Sequence, residues 1–174
     1  MTINYIKANK HNYGGRRSYR SVEYIIIHYT GNEGDTAKNN AEYFSKKLRT
    51  PASAHFFVDQ KGSIYKSVPI NFVAYSVGGR KYDDCSKTGG GKYYGAVTNA
   101  NSVSIELCDN ATRDPSAAQI KAVVDVIRYI RTYCKNAKVV IRHFDVNGKH
   151  CPLRMMSSEK WNMFKKEIKV SVIL

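Results

Sequence analysis

His143 and Cys151 stand close together in the stretch Arg142-His143-Phe144-Asp145-Val146-Asn147-Gly148-Lys149-His150-Cys151-Pro152. Asn147-Gly148 is a turn dipeptide, so the chain can reverse there and carry Cys151 back towards His143. An imidazole and a thiolate held together in this way are two good ligands for zinc. His28 offers a third, because it ends the apolar run Tyr24-Ile25-Ile26-Ile27. Catalytic zinc sites commonly use three protein ligands and leave the fourth position to water. We read His28, His143 and Cys151 as such a site. Replacing Cys151 by His150 or Cys108 gives competing trios, although a free cysteine is usually just buried.

Two more side chains suit the same chemistry. Zinc brings the pKa of a bound water down to about 7, so a nearby carboxylate can take its proton. Glu106 is the candidate for that general base, and the bland alternative is a surface carboxylate on a strand edge. Lys149 precedes Cys151 by two positions and is well placed to stabilise the oxyanion of a tetrahedral intermediate; otherwise it is one more positive charge among many. His55 lies beside Phe56 and Phe57 and reads first as a satisfied, partly buried histidine, with a cleft-lining role second.

The elements that must position these groups follow from periodicity. Residues 22–29 are apolar on both faces, as in a central strand covered by helices on each side. Val103, Ile105 and Leu107 alternate with Ser104, Glu106 and Cys108, a period-two strand with Glu106 near its carboxyl end. Residues 139–143 read as the last strand. His28, Glu106 and His143 thus all fall near carboxyl ends of strands, where open α/β sheets tend to place their sites. Asp35 is expected to cap a helix over residues 35–48, with Ala37, Ala41, Phe44 and Leu48 at helical spacing and Pro51 beyond. Residues 54–58 and 63–68 flank the turn Asp59-Gln60-Lys61-Gly62 and predict a hairpin, and 71–77 a further short strand. Asp114 and Pro115 are expected to cap and open the longest helix, with Ile120, Val123, Val124, Ile127 and Ile130 as its buried stripe. Trp161, Phe164 and Ile168 mark a terminal amphipathic helix. The fold class expected is α/β, a single domain with a central mixed β-sheet flanked by helices on both faces.

Two stretches lack periodicity. Residues 1–20 are polar and read as an extended arm lying on the domain. Residues 78–101 mix glycines with tyrosines and lysines; such a long loop is either mobile surface or functional, and its side chains would suit a groove for sugar and peptide.

Composition bounds the partners. The chain has 174 residues, enough for one domain with a proper core, and 43% apolar with 24% charged residues is the balance of an ordinary globular protein. Its net charge of +14 favours a polyanion: nucleic acid, an acidic lipid surface or a wall carrying phosphate polymers. The four cysteines, Cys85, Cys108, Cys134 and Cys151, form no paired CxxC pattern and suggest no disulfide framework. No run approaches the roughly 18 apolar residues of a membrane span, and the N-terminus lacks an apolar signal core. The expectation is a protein made in the cytoplasm, without membrane insertion. Basic residues are dispersed along the chain without a recognition-helix or stacking motif, so a nucleic-acid partner is not expected.

Five pieces in this order resemble the zinc-dependent N-acetylmuramoyl-L-alanine amidases of the phage endolysin, autolysin and peptidoglycan-recognition-protein superfamily. They are the strand ending in His28-Tyr29-Thr30, the helix with Thr36-Ala37-Lys38-Asn39-Asn40-Ala41, the segment Ser53-Ala54-His55-Phe56-Phe57-Val58, the strand through Glu106, and Arg142-His143 through Cys151-Pro152. Together they span about residues 20–160. The resemblance implies a zinc enzyme that hydrolyses the amide between N-acetylmuramic acid and the L-alanine of the peptidoglycan stem peptide. It implies His28, His143 and Cys151 as ligands, Glu106 as the catalytic glutamate and Lys149 as the catalytic lysine. Several relatives carry a tyrosine before the hairpin histidine; here Ala54 stands there, which implies the branch that relies on the glutamate. It further implies bacterial peptidoglycan as substrate, anionic wall polymers as partners by charge, and a phage or prophage endolysin released through a holin to act on the wall. Residues 1–174 would be the catalytic domain, with 169–174 either a natural end or the start of a linker to a wall-binding domain. A non-catalytic peptidoglycan-binding module of the same fold and a zinc endopeptidase are the rival expectations.

Overall fold

The structure, a computed structural model, describes residues 1–170. In chain order its strands are β1 (Ile3–Tyr5), β2 (Tyr13–Arg16), β3 (Tyr24–Tyr29), β4 (Phe56–Val58), β5 (Ile64–Lys66), β6 (Phe72–Ala74), β7 (Ser102–Leu107) and β8 (Val139–Arg142). The helices are α1 (Ala37–Ser45), α2 (Cys85–Thr88), α3 (Ala117–Tyr133), α4 (His143–Asn147) and α5 (Ser158–Val170). Six strands form one sheet in the order β1-β5-β4-β7-β3-β8, parallel except for the β4–β5 hairpin. This is the expected mixed α/β sheet.

The alternation within each strand decides what lies on each face. Ile25 and Ile27, Phe56 and Val58, and Val103, Ile105 and Leu107 pack against Val123, Ile127 and Ile130 of α3 and Trp161, Phe164 and Ile168 of α5. Burying each such side chain contributes about 1.5–3 kcal/mol, so this side is the main core. The alternate residues look the other way. There Phe57 and Cys108 meet Ala37 and Ala41 of α1. Ile26 and Ile141 meet Val77, Val97 and Val146. Helices thus cover both faces, but the second cover is thin, and His28 and Glu106 belong to that second face.

Register then brings the chemistry together. His28 pairs with Glu106 across β3 and β7, and Ile27 pairs with Arg142 across β3 and β8. One residue beyond Arg142, His143 is carried alongside His28.

Several local readings are corrected. Helix α1 is capped by Thr36, whose side chain accepts from Asn39 N, rather than by Asp35, and it ends at Ser45 rather than Leu48. The early stop has a cause: buried Asn12 donates to the carbonyls of Phe44 (2.8 Å) and Lys46 (2.7 Å) and accepts from Leu48 N. Those groups are taken by a distant amide instead of by the next helical turn. Helix α3 is capped by Ser116, whose hydroxyl accepts from Gln119 N at 3.0 Å. Asp114 instead pairs with Arg154 and Lys160 across to the C-terminal segment. The last strand ends at Arg142, and His143 opens α4. Residues 1–20 are built into the fold rather than laid on it: β1 adds a parallel edge strand on β5, and β2 pairs with β6 in a separate two-stranded sheet. Residues 78–101 are ordered around α2. Of the stretch 169–174, where a linker could start, α5 includes the first two residues and 171–174 lie outside the described residues.

Candidate active site

His28, His143 and Cys151 are all buried, and each offers a ligand atom within 4.8 Å of the others. The His28 and His143 rings lie with centroids 4.6 Å apart, and Cys151 Sγ is 3.9 Å from His28 Nδ1. Among the described residues this is the one group of its kind. The competing trios are not assembled: His150 is exposed and reaches Asp84 at 3.3 Å, and Cys108 Sγ is approached by Asn40 Nδ2.

The local chain explains the positions. Arg142, at the end of β8, is buried yet fully partnered. Its guanidinium bonds Asp145 (Nη2–Oδ1, 2.6 Å) and donates to the carbonyls of Met155 and Met156. Asp145 also accepts from Arg142 N at 2.8 Å, which fixes the first turn of α4 and so His143. Gly148 ends α4 in the left-handed region (φ 88°), where glycine carries no Cβ penalty. The chain then doubles back, and Cys151 O accepts from Phe144 N at 2.9 Å.

The electrostatics of the trio suit a cation. Burial, and then His143, Lys149 and His55, hold the His28 pKa well below its ordinary value. Burial and Lys149 hold His143 down to about 3. Both imidazoles are therefore neutral. His28 Nε2 and both ring nitrogens of His143 are buried without a hydrogen-bond partner. Unsatisfied buried polar atoms are costly, and orphaned ring nitrogens on two histidines beside a buried thiol fit a ligand pocket. Burial and the Glu106 carboxylate push the Cys151 thiol up, against the Tyr29 N–H and Lys149, which favour the thiolate. A dication reverses that balance. Two neutral imidazoles with one thiolate form a borderline-soft set, so the residues fit zinc.

Glu106 Oε1 lies 3.9 Å from His28 Nδ1, with 17% of its side chain exposed. Burial raises its pKa to about 7; Lys149 opposes that shift and Asp35 adds to it. It opens into a cleft of about 570 Å³, lined also by Tyr29, Asp35, Asn39, Asn40, Tyr43 and Lys149. Lys149 is exposed at the mouth and also borders a second hollow of about 480 Å³ that holds Arg80, Tyr82 and His150. His28, His143, Cys151, Glu106 and Lys149 thus converge, and His55 does not. That residue is fully buried beneath the site, with Ser104 at Nδ1 and Phe72 O and Arg17 at Nε2. It is a satisfied structural histidine.

Asp35, Asn39, Asn40 and Tyr43 were missed as cleft residues. Asp35 accepts from Asp109 N (2.5 Å) and Asn40 Nδ2 (2.7 Å), which holds its carboxylate beside the cleft. The available signal was a helix face carrying amides and a tyrosine where lysines would be expected.

Residues 18–154 match the family described as N-acetylmuramoyl-L-alanine amidase. The chain belongs to that family. It is 30% identical over 183 residues to the N-acetylmuramoyl-L-alanine amidase BlyA of Bacillus subtilis, an alignment that takes in 99% of this chain and 47% of BlyA. It spans about half the length of the curated relatives it matches. Among solved structures, the catalytic domain of XlyA of Bacillus subtilis superposes with a TM-score of 0.71 at 26% identity, covering 97% of this chain and 99% of that one. PlyL gives a TM-score of 0.72 at 24% identity over 97% of each chain, a likeness of fold.

Proposed function

We propose that this chain is the catalytic domain of a zinc-dependent amidase. It cleaves the bond between N-acetylmuramic acid and the L-alanine of the stem peptide in bacterial peptidoglycan. The observation that carries this reading is the buried His28, His143 and Cys151 trio with Glu106 beside it at the head of a cleft, in a chain of the amidase family. His28, His143 and Cys151 would hold the metal. When bound, zinc supplies Lewis acidity: it polarises the amide carbonyl and makes a water acidic at neutral pH.

The chain's own residues do the rest. Glu106, whose pKa burial raises to about 7, takes the proton of the attacking water at its carboxylate and passes it to the leaving alanine nitrogen. The Lys149 ammonium faces the oxyanion as it develops. Asn39, Asn40 and Tyr43 offer hydrogen bonds and a ring face along the cleft for the substrate. Ala54 is buried and presents no hydroxyl, so no tyrosine at that position takes part. Glycosidases typically use two carboxyl groups flanking the bond; the second carboxylate on this cleft, Asp35, is instead engaged by Asp109 N and the Asn40 amide.

The role we propose beyond the domain is that of a phage or prophage endolysin, released through a holin and drawn to anionic wall polymers by its +14 charge. Among the described residues no helix is long and apolar enough to cross a membrane.

Digestion of purified peptidoglycan tests the reaction. New amino groups should appear without new reducing sugar ends, and L-alanine should be the dominant new N-terminus. Recovery of glycine, D-alanine or a diamino acid would make this an endopeptidase. Wall binding with no new amino groups would make it a non-catalytic module.

A further inference from the structure

Several residues of the stretch between β6 and β7 bond to α4, and none of the stretch lines the cleft. Helix α4 has five residues and opens with His143. So short a helix is not stable alone, and beyond Phe144 O, which accepts from the capping Gly148 N at 2.9 Å, its last carbonyls look outside it for partners. The glycine-rich stretch supplies partners for Asp145 O and Asn147 O and adds a second one for Phe144 O. Gly91 N donates to Phe144 O (2.9 Å), Tyr93 N to Asp145 O (2.9 Å) and Tyr82 N to Asn147 O (2.8 Å). In return the Asn147 side-chain amide donates to Gly78 O at 3.0 Å, while its oxygen accepts from Lys149 N at 3.0 Å.

The fit is tight at Gly90. A Cβ there would stand 2.7 Å from Phe144 Cε2 and 2.8 Å from the Cα of Gly148. Gly90 has no positive φ, so conformational freedom does not explain the glycine. Space does: two backbones touch where any side chain would part them. On the other side of the same contact, the Cys85 sulfur occupies the place of a Cβ on Gly148. The segment therefore grips α4 at its carbonyls and the following loop at Gly148. Its grip falls between His143 and Cys151.

We infer that Gly90 and Asn147 are positioning residues for the metal pocket. Through the packing of residues 78–93 on α4, they fix the separation of His143 from Cys151. The inference rests on the ligand set proposed above. A looser grip lets the two ligands drift apart, so affinity for the metal falls before the fold is lost. Outer-shell partners of metal ligands typically matter by about 10–100-fold in affinity.

The test measures zinc affinity of the whole chain by competition with a chromophoric chelator, and far-UV circular dichroism of the metal-free protein. Gly90→Ala and Asn147→Ala should bind zinc about 10–100-fold more weakly than the parent while keeping its dichroism. Their cobalt-substituted forms should show a shifted visible spectrum. Gly15→Ala, whose Cβ would enter open space, should match the parent in every readout. Should Gly90→Ala fail to fold, Asn147→Ala decides the matter, because it removes atoms and creates no clash. A folded Gly90→Ala or Asn147→Ala with unchanged zinc affinity and cobalt spectrum overturns the inference. A parent chain that binds no zinc overturns the ligand set itself, and this inference with it.

Discussion

Glu106 and His28 face each other in direct register on adjacent parallel strands, with Glu106 Oε1 3.9 Å from His28 Nδ1. A period of two along both strands turns the apolar neighbours of each, Ile27 and Ile105, into the main core, and leaves the acid and the imidazole on the thinly covered face. At that distance no direct hydrogen bond joins them. Their closeness also means that a change at one is felt by the other. Replacing either should therefore test distinct steps of one reaction.

Glu106→Gln keeps size and hydrogen bonding but cannot accept a proton. Zinc content and melting temperature should stay close to the parent's, while turnover falls by about 10²–10⁴-fold, the usual worth of a general base. Turnover within a few-fold of the parent would return Glu106 to a structural role.

Cys151→Ala removes the thiolate from the trio. Zinc and activity should be lost together, measured by elemental analysis and amine release on the same sample. Cys134 lies in the main core beyond α3, so Cys134→Ala should keep both. Unchanged metal content in Cys151→Ala would show that the ligand set is wrong.

Lys149 should be visible in the pH profile as well as in the rate. Its charge favours the carboxylate form of Glu106 and so opposes the upward shift that burial imposes. Lys149→Gln removes that opposition, and the Glu106 pKa rises. A base must be deprotonated to act, so the acid limb of activity should move to higher pH in Lys149→Gln and stay near the parent's in Lys149→Arg. The test is a pH–rate profile for each variant. An acid limb that does not move would place Lys149 too far from Glu106 to influence it.

The sequence revealed the parts of this site that obey local rules. The strand through His28 and the strand through Glu106 carry their own periodicity, so the register pairing that joins them is nearly implicit. Parallel neighbours with polar residues at their carboxyl ends leave little choice of face. The parts that escape are set by contacts distant in sequence. Asn12 stops α1 from 32 residues away, and nothing near Phe44 announces it. Arg142 looks like one basic residue among many, yet its bonds to Asp145, Met155 and Met156 anchor the ligand helix. The sequence suggests a strand end at His143 because the preceding run is β-branched, whereas the Asp145 carboxylate that turns the chain into α4 lies downstream. The glycines at 89–91 signal a loop but not what it grips, because a close backbone approach has no signature beyond the missing side chain.

The buried histidine beneath the site makes a prediction about stability rather than rate. Burial, and then the Arg17 guanidinium, hold the His55 pKa down to about 3, although the Phe72 carbonyl pulls the other way. In the unfolded chain the same ring titrates near its ordinary value of about 6.5. Between those two values the unfolded state binds the extra proton and the native state does not, so stability falls as pH falls. The contribution of the neutral ring is complete above the unfolded pKa, and it is lost progressively as pH drops from about 6.5 towards 3. One such group has a slope of about 1.4 kcal/mol per pH unit within that window. His28 and His143 shift in the same direction when no metal is bound, so the metal-free chain should lose stability steeply in acid. His55→Gln cannot titrate, yet it can still bond Ser104 and the Phe72 carbonyl. Urea unfolding of metal-free protein at pH 7 and pH 5 measures the difference. The parent should lose more stability between these two pH values than His55→Gln does, even if the variant is the less stable at pH 7. Equal losses in the two proteins would mean that His55 is not the neutral, buried group its contacts describe.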